Sequence, residues 1–199
     1  MEFLITAMAA YLLGSVPFGI VVARIFGLGD VRKIGSGNIG ATNVLRTGSK
    51  LAAFLTLVLD AGKGAVAVLV ARAYGGEELA GLAALCAMLG HVFPIFLKFK
   101  GGKGVATFLG TLLAISWPTG LAACATWLLA AAITRYSSLS ALIAAALAPV
   151  FALYFYHLHG AVLIGLLSVL IYIRHSANIR RLIAGEEPKI GKVASKSNS

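Results

Sequence analysis

The 199-residue chain is too apolar for a soluble domain, because 59% of its residues are hydrophobic and only 12% are charged. Its formal charge of +10 would suit nucleic acid, but in a membrane protein such an excess reflects Lys and Arg kept on the cytoplasmic side. We therefore expect an integral membrane protein whose partners are membrane lipid and anionic substrates, with no nucleic acid among them.

Six apolar runs follow one another along the chain, and about 20 apolar residues are needed to cross a bilayer as a helix. The runs cover about 3–26, 51–74, 79–97, 105–134, 139–156 and 160–173. The fourth run is too long for one crossing, and Trp117-Pro118-Thr119-Gly120 near its centre is a turn signal. We expect this run to fold as a hairpin, which gives an all-α protein with seven transmembrane helices.

The positive charges select the orientation of these helices. With seven crossings, nearly all Lys and Arg residues lie in or beside the segments on one side of the membrane, which are 27–50, 98–104, 135–138 and 174–199. By the positive-inside rule that side is cytoplasmic, so the N-terminus is expected outside and the C-terminus inside.

The domain organisation follows from this topology. We expect a single seven-helix membrane domain over residues 1–185, with cytoplasmic active-site loops at 27–50, 98–104 and 174–187. The remaining residues, 188–199, are polar and basic and are predicted to form a disordered tail.

The first loop contains a concentration of glycine, hydroxyl and amide residues that ends in an arginine. Glycine lets backbone N–H groups approach an anion, and Arg46 adds a fixed positive charge. Asn43 and Arg46 would share a helical face and could hold one anionic group. An ordinary loop rich in turn formers is the alternative. The candidate binding residues are Gly35, Ser36, Gly37, Asn38, Gly40, Thr42, Asn43 and Arg46.

The second loop places glycines and lysines directly before a helix, where free N–H groups and the helix dipole favour an anion. The spacing excludes a Walker A nucleotide loop, and a basic cap on the third span is the alternative. His91 lies inside that span, where a structural and a functional histidine are both plausible. The candidate binding residues are Lys98, Gly101, Gly102, Lys103 and Gly104.

The third segment begins where the last span ends. His175 and Asn178 share one face of an expected interfacial helix, and His175 could transfer protons near neutral pH. Arg181 could bind substrate or serve only as a topology anchor. Ser138, in the short turn at 135–138, is a further candidate for binding.

Two ionisable residues, Asp60 and Lys63, lie within the second span. At i, i+3 they can pair, and groups at this depth face the interior of a bundle. They could stabilise the bundle or line a polar pocket. We find no spacing typical of metal ligands and expect no metal and no cofactor.

Three motifs occur in order along the chain: Gly-Ser-Gly-Asn-x-Gly-x-Thr-Asn-x-x-Arg at 35–46, Gly-His-x-Phe-Pro-x-Phe-x-x-Phe-Lys-Gly-Gly-Lys-Gly at 90–104 and His-x-x-Asn-Ile-x-Arg-Leu-x-x-Gly at 175–185. Together they resemble the bacterial acyl-phosphate:glycerol-3-phosphate acyltransferase family, PlsY. The resemblance implies seven spans in the bacterial inner membrane. It also implies acyl transfer from acyl phosphate to the 1-hydroxyl of glycerol 3-phosphate, giving lysophosphatidic acid and phosphate as the first acylation step of phospholipid synthesis.

The same resemblance implies roles for individual residues. Ser36 and Arg46 would be essential for catalysis, and the glycines at 101, 102 and 104 with Lys103 would form the glycerol-phosphate loop. His175 and Asn178 would contribute to activity, whereas Glu187 would be structural, with Glu186 beside it as the alternative.

Several alternatives stay open at this stage. The hydroxyl proton could pass to a substrate phosphate or to His175, and covalent catalysis by Ser36 lacks an evident paired base. A phosphate or sugar-phosphate transporter could use Asp60 and Lys63 to line a pathway, and a lipid-binding scaffold would need only the basic patches.

Overall fold

The computed structural model describes residues 1–191, and within that range the chain is helical without any β-strand. The part of the predicted disordered tail from residue 192 onward lies outside the described residues. The α-helices are α1 Glu2–Ser15, α2 Phe18–Ile25, α3 Ala41–Val44, α4 Lys50–Val92, α5 Val105–Ile115, α6 Trp117–Thr134, α7 Ser137–Phe155, α8 Leu158–Arg174 and α9 Ser176–Ile183.

Helix α4 is folded back on itself rather than straight. Its backbone leaves the helical region at Gly75 and Gly76, where Gly76 has a φ of +72°. Asp60 and His91, on either side of this break, have side-chain atoms 3.6 Å apart. The element therefore consists of two antiparallel limbs, 50–74 and 77–92, which correspond to the second and third apolar runs of the sequence.

The long fourth apolar run is also broken. Helix α5 ends at Ile115 and α6 begins at Trp117, with Ser116 in an extended conformation between them. Gly120 packs against the backbone of Leu113, so the two helices are antiparallel. The predicted break is present, just before the Pro118 that suggested it, because proline is tolerated in the first turn of a helix.

Length and apolar composition alone identify fewer crossings than the sequence predicted. Four helical stretches within residues 1–191 are long and apolar enough to cross a membrane: Glu2–Ile25, Lys50–Leu97, Trp117–Thr134 and Ser137–Phe155. A fifth is obtained if Leu158–Arg174 and Ser176–Ile183, bent by 62°, are counted together. Helix α5, with 11 residues, is too short to meet the same criterion.

One end of the bundle, which we call the far face, is held together around Arg72. Its guanidinium donates to the carbonyls of Ala114 and Ile115 at 2.5 and 3.0 Å and pairs with Glu77 at 2.7 Å. The Tyr156 hydroxyl donates to the same carboxylate at 2.6 Å. These contacts join the turn of α4, the end of α5 and the end of α7.

The opposite end, which we call the loop face, carries all three sequence motifs. The hydroxyls of Thr42 and Ser137 are 3.1 Å apart, which joins the first loop to α7. The Ile190 N–H donates to the carbonyl of Arg135 at 2.8 Å, so the chain beyond α9 runs back to the start of the same helix. Segments that are distant in sequence therefore meet at the loop face.

Small residues let the helices of the core approach closely. The buried core is rich in alanine, and Gly110 of α5 lies so near α4 that an added Cβ would overlap the backbone of Ala61. By contrast, a Cβ added at Gly165 of α8 would meet no atom within 4 Å. Close backbone approach at small residues is a main source of helix association in membranes.

This difference predicts opposite effects of the same substitution. Gly110→Ala should force α4 and α5 apart and destabilise the protein by about 1–3 kcal/mol, whereas Gly165→Ala should be neutral or slightly stabilising because it restricts the unfolded chain. The midpoint of thermal unfolding in mild detergent, followed by circular dichroism, checks both. Equal midpoints for the two variants would contradict the close packing of α5 on α4.

Candidate active site

The first loop is organised around Asn43, which is buried. Its amide nitrogen donates to the carbonyls of Val31 and Asn38, both at 2.7 Å. Its amide oxygen accepts from the N–H of Ser36 at 3.1 Å and from the Ser36 hydroxyl at 3.4 Å. The sequence suggested that Asn43 would share an anion with Arg46, but the structure commits its amide to holding the loop in shape.

The glycines of this loop permit a turn that passes close to Arg46. Gly35 has a φ of +52°, and an added Cβ there would overlap the side chains of Asn43 and Arg46. Gly37 also has a positive φ, and Gly40 directly precedes α3. Ser36 is exposed, and within residues 1–191 its hydroxyl contacts only the Asn43 amide.

The second loop turns back on the end of α4 and is held from two sides. The N–H groups of Gly101 and Gly102 donate to the carbonyls of Val92 and His91 at 3.2 and 3.1 Å. On the other side, the Arg174 guanidinium donates to the carbonyls of Gly101 and Gly102 at 3.1 and 3.3 Å. The loop is therefore fixed between α4 and α8.

Lys103 follows these glycines at the start of α5. Gly104 precedes the first residue of that helix, and no side chain caps it, so its first N–H groups are available to an anion. Burial lowers the pKa of Lys103 to about 8, with Arg181, Arg46 and Arg174 acting in the same direction and Glu187 against it.

Lys98 precedes the glycines of the second loop. It is exposed and adopts a left-handed backbone conformation with a φ of +51°. The substrate-binding role of Lys98 stays a prediction, because exposure and backbone conformation neither join this side chain to the other motifs nor separate it from them.

The third segment is built around Glu187. Its carboxylate accepts from the Ser138 hydroxyl at 2.7 Å, from the Asn178 amide at 2.5 Å and from Arg181 Nε at 2.7 Å. Burial alone would raise the pKa of Glu187, but these three hydrogen bonds outweigh it and lower the pKa. Glu186 is exposed, so Glu187 occupies the place expected of the structural glutamate.

This arrangement changes what Ser138, Asn178 and Arg181 can offer a ligand. The Ser138 proton and one Asn178 donor are used by Glu187. The Asn178 amide oxygen is buried without a hydrogen-bond partner within the described residues. Arg181 uses only its Nε for Glu187, which leaves its terminal nitrogens for another anion.

His175 lies at the bend between α8 and α9 and is buried. Its Nδ1 is 2.7 Å from the carbonyl of Ile171, which assigns the proton of the neutral ring to Nδ1 and leaves Nε2 as an acceptor. Burial lowers the pKa of His175 to about 4, against the hydrogen bond to Ile171, which acts in the opposite direction. The ring is therefore neutral at physiological pH.

The three motifs share one electrostatic environment. Arg46 and Arg181 both lower the pKa of Lys103, Arg181 also lowers the pKa of Arg46, and Glu187 acts in the opposite direction on both half-buried cations. Arg46 Nη1 is buried without a hydrogen-bond partner, and within residues 1–191 the Arg46 and Lys103 side chains bond to no protein group. Two cations from separate loops are thus available for a phosphate-bearing ligand.

Asp60, Lys63 and His91 form a second polar group beneath the glycine loop. Lys63 pairs with Asp60 at 2.8 Å and donates to the carbonyl of Val16 at 2.9 Å, where the chain passes from α1 to α2. All three side chains are buried. The pair therefore stands inside the bundle, with Lys63 joined to the first helical stretch.

The interpretation of the sequence missed the contribution of Arg174. It counted this residue only as a positive charge at the end of the last span, whereas the structure uses it to hold the glycine loop. Its position next to His175 was the only available signal. Among residues 1–191 there is no group of three His, Cys, Asp or Glu side chains that could hold a metal ion.

The chain is similar in sequence to known proteins. The model of the family described as Glycerol-3-phosphate acyltransferase matches residues 4–185. A curated relative of that name from Jannaschia sp. (strain CCS1) is 65% identical over 190 residues, which are 96% of this chain and 94% of the relative. Another, from Rhodospirillum rubrum, is 62% identical over an alignment of 195 residues that covers 94% of this chain and 90% of the relative.

Solved structures show the same fold. The crystal structure of PlsY (YgiH), an integral membrane glycerol 3-phosphate acyltransferase, in its glycerol 3-phosphate form is 38% identical to this chain, covers 96% of both chains and superposes with a TM-score of 0.90. The lysophosphatidic acid form of PlsY gives a TM-score of 0.89 over the same coverage. The chain therefore belongs to the glycerol-3-phosphate acyltransferase family and is an integral membrane protein with the fold of PlsY.

Proposed function

We propose that this protein transfers a fatty acyl group from acyl phosphate to the 1-hydroxyl of glycerol 3-phosphate, forming lysophosphatidic acid and inorganic phosphate as the first acylation of phospholipid synthesis. The observation that carries this proposal is the presence of two cations without protein partners in residues 1–191, Arg46 and Lys103, beside the uncapped start of α5. Similarity to PlsY in glycerol 3-phosphate and lysophosphatidic acid forms supports the same acceptor and product.

The chemistry needs charge and position more than strong acid–base groups. Acyl phosphate is a mixed anhydride with a good leaving group, so the larger obstacle is to hold two phosphate-bearing reactants together. Arg46 and Lys103 would offset their mutual repulsion and place the acceptor hydroxyl against the acyl carbon. Arg181 could assist, because its terminal nitrogens are not used by Glu187.

His175 is a weak base in this environment, so the hydroxyl proton needs another acceptor. With a pKa of about 4, its Nε2 can accept a hydrogen bond from the hydroxyl but holds a proton poorly at neutral pH. A phosphate monoester, with a second pKa of about 6, is the stronger base. We assign the proton to a substrate phosphate and the orientation of the hydroxyl to His175.

Ser36 and Asn178 fit positioning roles in this scheme. Within residues 1–191 the Ser36 hydroxyl forms a hydrogen bond only with the Asn43 amide oxygen, and an amide cannot take its proton. This geometry favours Ser36 as a donor or acceptor to substrate over Ser36 as a covalent nucleophile. The unpartnered Asn178 amide oxygen could accept a hydrogen bond from glycerol 3-phosphate.

We also propose that the chain crosses a bacterial inner membrane seven times, with its loop face in the cytoplasm. The crossings would be α1 with α2, the two limbs of α4, then α5, α6, α7 and α8. With these seven crossings, the three motifs lie on the same side of the membrane, as the contacts between them require. Residues 1–185 would then form one membrane domain, with α5 as a short crossing covered by its neighbours.

A transporter is less well supported. Asp60 and Lys63 pair with each other, and Lys63 also bonds to the Val16 carbonyl, so the polar groups expected to line a pathway are engaged by the protein. The available cations lie at one end of the bundle, whereas alternating access requires a site near the bilayer midplane. A lipid-binding scaffold would not require the glycine loop to be fixed by Arg174.

Direct assay of the purified protein tests the proposed reaction. Protein in detergent micelles, given acyl phosphate and glycerol 3-phosphate, should release phosphate and form lysophosphatidic acid only when both substrates are present. Arg46→Ala should lower kcat/KM about 10- to 100-fold, because a charge-assisted hydrogen bond to phosphate is lost.

Lys100→Ala provides the matched control, since Lys100 is an exposed cation on the glycine loop outside the cluster. It should leave kcat/KM unchanged. If the protein is active and both substitutions have the same effect on kcat/KM, Arg46 does not bind substrate. If the protein forms no lysophosphatidic acid, the proposed reaction is wrong.

The pH profile of kcat/KM tests the assignments of Lys103 and His175. Lys103 is charged below its pKa of about 8, so binding of the anionic acceptor should weaken as pH rises through that value. Lys103→Arg should move this alkaline limb to higher pH, because arginine stays charged. The acid limb should lie near the phosphate pKa of about 6 and persist in His175→Asn.

Two results would contradict these assignments. An alkaline limb that is the same in the wild type and in Lys103→Arg would show that Lys103 does not control it. Loss of the acid limb in His175→Asn would show that His175, and not a substrate phosphate, accepts the hydroxyl proton.

Cysteine labelling tests the proposed topology. In a background with Cys86 and Cys124 replaced by alanine, a membrane-impermeant maleimide added to spheroplasts should label Glu78→Cys at the far face but not Arg180→Cys at the loop face. Both original residues are exposed, so access from the medium is the only difference. Labelling of Arg180→Cys in sealed spheroplasts would invert or abolish the proposed orientation.

A further inference from the structure

His91 is a buried residue that the proposed reaction does not use, yet it lies directly beneath the glycine loop. A Cβ added at Gly102 would overlap the imidazole ring at Nε2, Cε1 and Cδ2. On the other side of the ring, Nδ1 is 3.6 Å from the carboxylate of Asp60. The imidazole therefore fills the space between the buried ion pair and the loop.

Gly102 is held at three points around its backbone. Its N–H donates to the carbonyl of His91, its carbonyl accepts from Arg174 Nε at 3.3 Å, and the His91 ring fills the space that a Cβ would occupy. The next residue is Lys103. The position of Gly102 thus decides where the Lys103 ammonium and the first N–H groups of α5 stand.

The ring is itself supported by the rest of the buried polar group. Asp60 pairs with Lys63 at 2.8 Å, and the Asp60 carbonyl accepts from the Thr107 hydroxyl at 2.9 Å. Thr107 belongs to the first turn of α5. Asp60 thus contacts both the histidine under the loop and the helix that the loop begins.

We propose that His91 is a positioning residue for phosphate binding. Its imidazole lies between the Asp60–Lys63 pair and Gly102, and it fixes the position of the glycine loop and of Lys103 relative to α4. The inference rests on the proposed function, because it takes the loop as the site of the acceptor phosphate. His91 does not touch substrate in this scheme. Its effect passes entirely through Gly102.

A pair of double substitutions tests this contact. Gly102→Ala alone should push the loop off the ring and raise the KM for glycerol 3-phosphate about tenfold or more, with a smaller change in kcat. In His91→Ala/Gly102→Ala, the space left by the ring accommodates the new methyl group. The KM of the double variant should therefore fall back to within about threefold of the His91→Ala value.

Gly101→Ala supplies the matched control. A Cβ added at Gly101 would overlap the carbonyls of His91 and Val92 and the ring of Pro94, none of which His91→Ala removes. His91→Ala/Gly101→Ala should therefore show no relief relative to Gly101→Ala. Should His91→Ala fail to accumulate in membranes, His91→Asn, which is shorter but can still face Asp60, replaces it in both pairs.

A binding measurement separates this inference from the proposed reaction. The concentration of inorganic phosphate that gives half-maximal thermal stabilisation reports occupancy of the loop without catalysis. It should rise in Gly102→Ala and recover in the double variant, even if the protein formed no lysophosphatidic acid. No relief in His91→Ala/Gly102→Ala, or equal relief in the Gly101 pair, would overturn the role of His91.

Discussion

The loop face depends on holding several positive side chains close together with a single carboxylate among them. Arg46, Lys103 and Arg181 come from three separate segments, and Glu187 is the negative group that acts on all of them. Like charges that share one site repel, and burial adds a cost of desolvation. Glu187 offsets part of that cost, but it is itself bonded to Ser138, Asn178 and Arg181. The remaining positive charge at Arg46 and Lys103 is the part of the cluster that an anionic ligand would neutralise, and it is the physical basis of the phosphate site that we propose.

The polar side chains of the protein divide into those that build the site and those that remain available to a ligand. Asn43 shapes the first loop with both of its amide donors, and Arg174 fixes the glycine loop with Nε and Nη2. Hydrogen bonds to buried or half-buried partners hold these groups in one geometry before any ligand arrives, which is the condition for electrostatic stabilisation to act without reorganisation. A site of this kind would act through the positions of its charged groups, which is compatible with the acyltransferase family to which the chain belongs.

The sequence predicted the helical class, the break within 105–134 and the residues that meet at the loop face, because apolar run length, turn residues and charge are local signals. It could not predict which groups these side chains form hydrogen bonds with. Asn43 was assigned to ligand binding from its residue type and its spacing to Arg46, and only the folded loop shows that its amide is used internally. Arg174 was overlooked because its role depends on two backbone carbonyls 72 and 73 residues earlier in the chain. Contacts at such separations leave no local pattern.

The buried polar group under the loop shows why a membrane protein would keep charges in its interior. An ion pair at this depth costs desolvation energy that well-packed apolar residues would avoid, so Asp60 and Lys63 are poor candidates for stability alone. They do, however, lie against His91, whose Nδ1 is 3.6 Å from the Asp60 carboxylate. Because Gly102 packs against that ring, a shift of the imidazole would be passed on to Lys103. In this proposal, the buried polar contacts fix the positions of the binding groups in the loop above them.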